Sequence, residues 1–125
     1  MGDGMARILL IEDNVLNMKL AVMLLELAGF ETIQAFDAEQ GIRLAQEYAP
    51  QLILMDIQLP GMDGLTATRL LKNAPTTRDV KIVAMTACAM AGDREKFEAA
   101  GCDGYIAKPI GVQTFSDTIR DILGG

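Results

Sequence analysis

The chain has 125 residues, half of them apolar, with 17 acids against 11 bases, no histidine and a net charge of −6. That length suits one domain with a sizeable core and leaves no room for a second. The acidic balance argues against a nucleic-acid binder, which carries a basic stripe, and no apolar run approaches the roughly 20 residues of a membrane span.

The opening MGDGMARILLIED lacks the basic n-region of a secretory leader. Residues 1–6 read as an N-terminal extension, with Met5 as an alternative start, and the domain proper as residues 7–123. Cys88 and Cys102 do not form a CxxC pair and, with no histidine, do not point to zinc. They read as reduced, half-buried thiols of a cytoplasmic protein.

Strand-like and helix-like stretches then alternate. RILLI (7–11) is a short apolar run. Leu16, Leu20, Met23, Leu24 and Leu27 follow at the spacing of one helix face, which predicts that this face is the buried one. Asp13 or Asn14 is placed to cap that helix and Gly29 to end it. ETIQA (31–35) alternates as a half-exposed strand does, a helix fits 37–48 before Pro50, and LILM (52–55) is a third strand. GLTATRLLK suits a helix, NAPTTRD a loop, KIVAM (81–85) a fourth strand, and DREKFEAA before Gly101 a short helix with its C-cap. GYIA (104–107) is a fifth strand, and Val112, Phe115, Ile119 and Ile122 mark the last helix. Met18, Met23, Met55, Met85 and Met90 read as core filler, and Asp93, Arg94, Glu95 and Lys96 as a solvated helix start.

Five strands alternating with five helices predict an α/β fold, a parallel sheet with helices on both faces. The most apolar strands (first, third and fourth) belong in the centre. This gives the flavodoxin-like (βα)5 order 2-1-3-4-5, in which ligands bind beyond the strand carboxyl ends where the order reverses. The residues at those ends are Glu12 and Asp13 after the first strand, Asp56 after the third, Thr86 after the fourth, and Lys108 and Pro109 after the fifth.

Three carboxylates gathered at one edge repel one another unless a cation intervenes. Oxygen ligands without His or Cys favour Mg²⁺. A carboxylate beside that ion can accept a phosphoryl group, with a lysine and a hydroxyl placed to hold phosphoryl oxygens. Taken singly, Asp13 reads equally well as a turn residue or cap, Thr86 as a cap and Lys108 as a solvated lysine. Asp56 resists that treatment, because it ends a run of four apolar residues and a buried charge needs a partner. Their joint placement is what points to a site.

With these residues in place, IEDN, MDIQLPGMDG, MTA and KP, in that order, resemble the response-regulator receiver domains of two-component signalling from about Arg7 to Leu123. EDNVLNMKL, ILMDIQLP and the GC and YIAKPI stretches are most similar to free-standing single-domain regulators of the cell cycle. The resemblance implies that Asp56 accepts a phosphoryl group from a histidine kinase or histidine phosphotransfer protein. It implies that Glu12, Asp13, Asp56 and the backbone carbonyl of Gln58 hold Mg²⁺, and that Thr86 and Lys108 contact the phosphoryl group. It further implies that Tyr105 is a switch aromatic coupled to Thr86, that Pro109 follows a cis peptide, that Gly64 shapes the loop after the acceptor, and that Gln58 and Cys88 affect dephosphorylation. Phosphorylation adds nearly two negative charges, drawing Thr86 inward and vacating space that the Tyr105 ring can fill. The expected role is signalling, not catalysis: output through a downstream protein target, with no nucleic acid, no membrane and no output domain after the last helix. An alternative is a receiver domain of a hybrid histidine kinase.

Two other classes fit less well. An aspartyl phosphatase of the haloacid dehalogenase type carries a second acid two residues after its nucleophile, and that position here is Gln58. A flavodoxin-type FMN binder needs a Ser/Thr/Gly-rich phosphate loop after the first strand, where EDNVLN is acidic.

Overall fold

The computed structural model describes residues 6–87, 91–108 and 110–124, and only the backbone of Ala91, Gly92 and Val112. Cys88, Met90 and Pro109, for which the sequence raised expectations, lie outside the described residues. The elements alternate as β1 (Arg7–Ile11), α1 (Val15–Leu27), β2 (Glu31–Ala35), α2 (Ala38–Tyr48), β3 (Leu52–Asp56), α3 (Gly64–Asn73), β4 (Lys81–Thr86), α4 (Ala91–Ala100), β5 (Gly104–Ala107) and α5 (Val112–Ile122). The strands form one parallel sheet in the order β2-β1-β3-β4-β5. This is the flavodoxin-like fold read from the sequence.

Burial explains the order. β3 is buried along its whole length and β1 and β4 at all but their first residues, whereas β2 and β5 are only partly covered. Central strands carry helices on both faces, so both sets of alternating side chains are apolar. Ile8, Leu10, Leu52, Leu54, Val83 and Met85 point to the layer that contains Phe115 and Ile119 of α5. Leu9, Ile11, Ile53, Met55 and Ile82 point to the layer that contains Ala45 of α2 and Leu71 of α3.

Local chemistry sets the helix ends. Asn14, Asp37 and Asp63 cap α1, α2 and α3, each accepting from the backbone N–H three residues on, at 3.0, 2.7 and 2.8 Å; such a cap is worth about 1 kcal/mol. Asn14 settles the choice left open for α1. At the other end, Gly29 takes a left-handed φ of 92°, with Phe30 N–H on Leu25 O and Gly29 N–H on Glu26 O, both at 3.0 Å. This is the paired pattern that closes a helix on glycine. Gly101, at φ 107°, closes α4 in the same way.

One expectation is reversed. The predicted core face of α1 (Leu16, Leu20, Met23 and Leu27, with Leu24) is for the most part the solvent face, with Leu16 76% and Leu27 79% exposed. The buried residues are Met18, Ala21, Leu24 and Leu25. Apolar residues occupy two opposite faces of this helix, so spacing alone selects either side. Met23, read as core filler, is 52% exposed, whereas Met18, Met55 and Met85 are buried.

Candidate functional site

β1, β3, β4 and β5 deliver their last residues to one edge of the sheet. Each strand ladder runs on into the loop beyond it: Glu12 N–H donates to Ala35 O at 3.0 Å, Ile57 N–H to Met85 O at 3.1 Å and Lys108 N–H to Thr86 O at 2.8 Å. Rigid backbone therefore fixes the side chains at this edge. Glu12, Asp56 and Thr86 are 2%, 4% and 4% exposed, while Asp13 is open to solvent.

Lys108 closes the group. Its Nζ lies 2.8 Å from Glu12 Oε1 and 3.3 Å from Asp56 Oδ2. The opposite oxygens are held by backbone: Asp56 Oδ1 accepts from Gln58 N–H and Glu12 Oε2 from Asn14 N–H, both at 3.1 Å. Gly64, the first residue of α3, lies against the Asp56 carbonyl, and its N–H donates to Ile57 O at 3.1 Å. A side chain at that position would occupy space the acceptor strand already fills.

Burial is the main force raising the Glu12 pKa. The Lys108 hydrogen bond opposes it, and the nearby Asp56 carboxylate adds to it. Burial also works against the Lys108 ammonium, but the hydrogen bond to Glu12 and the charges of Asp56 and Glu12 prevail and hold its pKa above the usual lysine value. Both directions describe a site with surplus negative charge. Three carboxylates and one ammonium leave two negative charges unbalanced, which is the charge of one divalent cation. Glu12, Asp13 and Asp56 each offer an oxygen within 4.8 Å of the others. An all-oxygen donor set of this kind fits Mg²⁺.

Of the residues singled out in the sequence, Glu12, Asp13, Asp56, Thr86 and Lys108 thus reach the same edge. Gln58 adjoins them through its amide, its side chain exposed. Tyr105, on β5, is half-buried, and its Oη accepts from Arg94 Nη2 at 2.6 Å. The guanidinium carbon lies 5.2 Å from the Tyr105 ring centroid, and the Phe97 ring lies 6.2 Å away on the same helix. Arg94, expected in a solvated helix start, is exposed and is also the hydrogen-bond partner of Tyr105. Its only sequence signal was its position one helical turn before Phe97, on the α4 face turned toward β5.

Known proteins agree with this geometry. Residues 8–120 match the response regulator receiver domain family. The chain is 46% identical over 117 residues to the polar-differentiation response regulators DivK of Brucella anthropi and Brucella ovis, covering 94% of this chain and 95% of theirs. Among solved structures, the receiver domain of the sensor histidine kinase PA1611 of Pseudomonas aeruginosa, which has a magnesium ion coordinated in its active site cleft, superposes with a TM-score of 0.89. It is 34% identical, over 98% of this chain and 100% of that one. The chemotaxis protein CheY4 of Vibrio cholerae shares the fold, with a TM-score of 0.91 at 22% identity, over 95% and 99% of the two chains. The chain belongs to the response regulator receiver domain family.

Proposed function

We propose that this protein is the phosphoacceptor of a His–Asp relay in the cytoplasm, and that Asp56 is the accepting residue. A carboxylate oxygen of Asp56 attacks the phosphorus of a phosphohistidine on a histidine kinase or phosphotransfer protein. The P–O bond forms, the P–N bond breaks with its electron pair going to nitrogen, and the imidazole, protonated on its other ring nitrogen, leaves as the donor's neutral side chain. The observation that carries this reading is the setting of Asp56. It is a buried carboxylate ending an apolar strand, with one oxygen on a backbone N–H and the other facing Lys108.

Glu12, Asp13, Asp56 and the Gln58 carbonyl would hold Mg²⁺, as the charge balance of the cluster and the magnesium in the 34% identical receiver support. Bound there, the ion supplies counter-charge for the phosphoryl oxygens. Lys108, released in part from Glu12, donates to a phosphoryl oxygen as a point charge, and the Thr86 hydroxyl donates to another. Tyr105 then exchanges its outward position for the space behind Thr86, re-forming the α4–β5–α5 surface for a downstream protein. Similarity to DivK supports a free-standing regulator, and similarity to the receiver of a sensor histidine kinase supports a place within a hybrid kinase.

Incubation with acetyl phosphate and Mg²⁺ tests the acceptor. The wild type should gain the mass of one phosphoryl group and Asp56→Asn should gain none. Equal labelling of the variant would overturn the assignment.

A further inference from the structure

We propose that Thr68 and Lys72 are positioning residues of the switch, and that through them α3 links the acceptor Asp56 to the loop that starts β5, two residues before Tyr105. The inference rests on the phosphoacceptor reading above. α3 presents these two side chains one turn apart on a single face, and Gly101, Cys102 and Asp103 lie against that face. Thr68 is fully buried, and its hydroxyl meets the Cys102 thiol. Lys72 Nζ donates to Val80 O at 2.8 Å and to Asp103 Oδ2 at 3.0 Å, with Arg78 O at 3.4 Å. Gly101 leaves room for the lysine stem: a β carbon there would stand 2.8 Å from Lys72 Cγ.

The contact is rigid on both sides. An ammonium has three protons to donate, and three oxygens surround this one, so Lys72 is held in one place; its side chain is only 20% exposed. Asp103 is held as firmly. Its Oδ2 also accepts from Ile82 N–H at 2.9 Å, and its own N–H donates to Ile82 O at 2.7 Å. An ordinary surface ion pair lacks such anchors and contributes little.

The other end of α3 is seated on the acceptor. Gly64 lies against the Asp56 carbonyl, and its own carbonyl accepts from the Thr68 hydroxyl at 2.8 Å. A shift of the chain after Asp56 therefore presses on helix backbone, not on a side chain that could turn aside. α3 moves as a body and carries Thr68 and Lys72 with it. Cys102 and Asp103 follow, and Tyr105 is two residues further on. The ring thus has two inputs. Thr86 vacates the space it enters, and α3 moves the backbone from which it hangs. Both bias one element with two positions, which is what coupling between separate sites requires.

NMR of the full chain, titrated with beryllofluoride and Mg²⁺ as a phosphoryl stand-in, separates the two ends. The amide signals of Asp56 and Gly64 read loading of the site, and the Tyr105 signals read the switch. Lys72→Met keeps the stem and Thr68→Val keeps the shape, so in both the site signals should move as in the wild type. The ratio of inward to outward Tyr105 at saturation should fall on the order of fivefold in each, and Thr68→Ser should restore it. A brace that serves folding alone would lower the melting temperature and leave that ratio unchanged. Wild-type ratios in both variants would overturn the inference while the phosphoacceptor reading stands. Silent Asp56 signals in the wild type would overturn that reading, and this inference with it.

Discussion

Gly64→Ala should damage stability and site together, and the structure sets the size of the effect. A β carbon at Gly64 would overlap the carbonyl oxygen of Asp56 and stand 2.8 Å from the Cα of Ile57. Both are backbone and cannot rotate aside, and Ile57 is tied to Met85 O at 3.1 Å. α3 must therefore move off the end of β3. Overpacking of this kind costs about 1–3 kcal/mol, of which alanine's better helix propensity returns about 0.5–1 kcal/mol. A net loss of about 1–2 kcal/mol remains. With a melting entropy of about 2 cal/mol/K per residue, 125 residues convert that loss to a fall in Tm of about 4–8 °C. The displaced strand end carries Asp56 with it, so acetyl phosphate labelling should slow by on the order of tenfold, since misplacement approaching 1 Å is costly to a positioned reaction. Gly41→Ala is the contrast: its β carbon meets only the side chain of Ile11, which can turn away, so a smaller loss and normal labelling are expected. Calorimetry and labelling rates check both variants. If Gly64→Ala melted with the wild type and labelled at full rate, the packing of α3 on the acceptor would be refuted.

Three other outcomes follow from named contacts. Mg²⁺ should raise Tm, and more at about pH 7.5 than at about pH 4.5, the ordinary glutamate value that Glu12 exceeds. Glu12 is the reason: its pKa lies above the ordinary 4.5, so its ionised form costs stability at neutral pH, that cost fades as pH falls, and protons displace the cation early. An equal rise at both pH values would remove Glu12 from the ligand set, and EDTA should abolish labelling. Arg94→Ala removes the 2.6 Å hydrogen bond and the cation over the Tyr105 ring. The Tyr105 NMR signals of the unphosphorylated protein should move toward their phosphorylated positions, and unmoved signals would show that Arg94 does not hold the ring outward. Cys102 is raised by burial above the usual thiol value of 9.0, so peptide mapping should show it alkylated more slowly than free cysteine, with the rate climbing as pH rises past that value; alkylation at the free rate would contradict the burial.

The sheet and the acidic edge were legible because each rests on a local signal. Four apolar residues before Asp56 admit few structures other than a central strand, and a carboxylate there has to face the crevice. Glu12 and Lys108 were found in the same way, by following a strand to its end. What was not legible depends on partners distant in sequence. Arg94 looks like any solvated arginine until β5 brings Tyr105 beneath it. The helix through Leu16 and Leu20 is apolar on two opposite faces, so a periodicity argument has two answers and chose the wrong one.

That error is itself informative. A helix lying on a sheet needs a broad stripe at 3.6 residues per turn, which Met18, Ala21, Leu24 and Leu25 supply. The opposite stripe, Leu16, Leu20, Met23 and Leu27, keeps the same helical period and differs in carrying larger side chains. The bulkier stripe therefore faces solvent, and the alanine-containing one, which lets the helix lie close to the sheet, serves folding. The two can be told apart without coordinates: a charge placed at Leu27 should leave the melting temperature untouched, whereas one placed at Ala21, 1% exposed against the sheet, should unfold the domain. Equal destabilisation by both would contradict this orientation of α1.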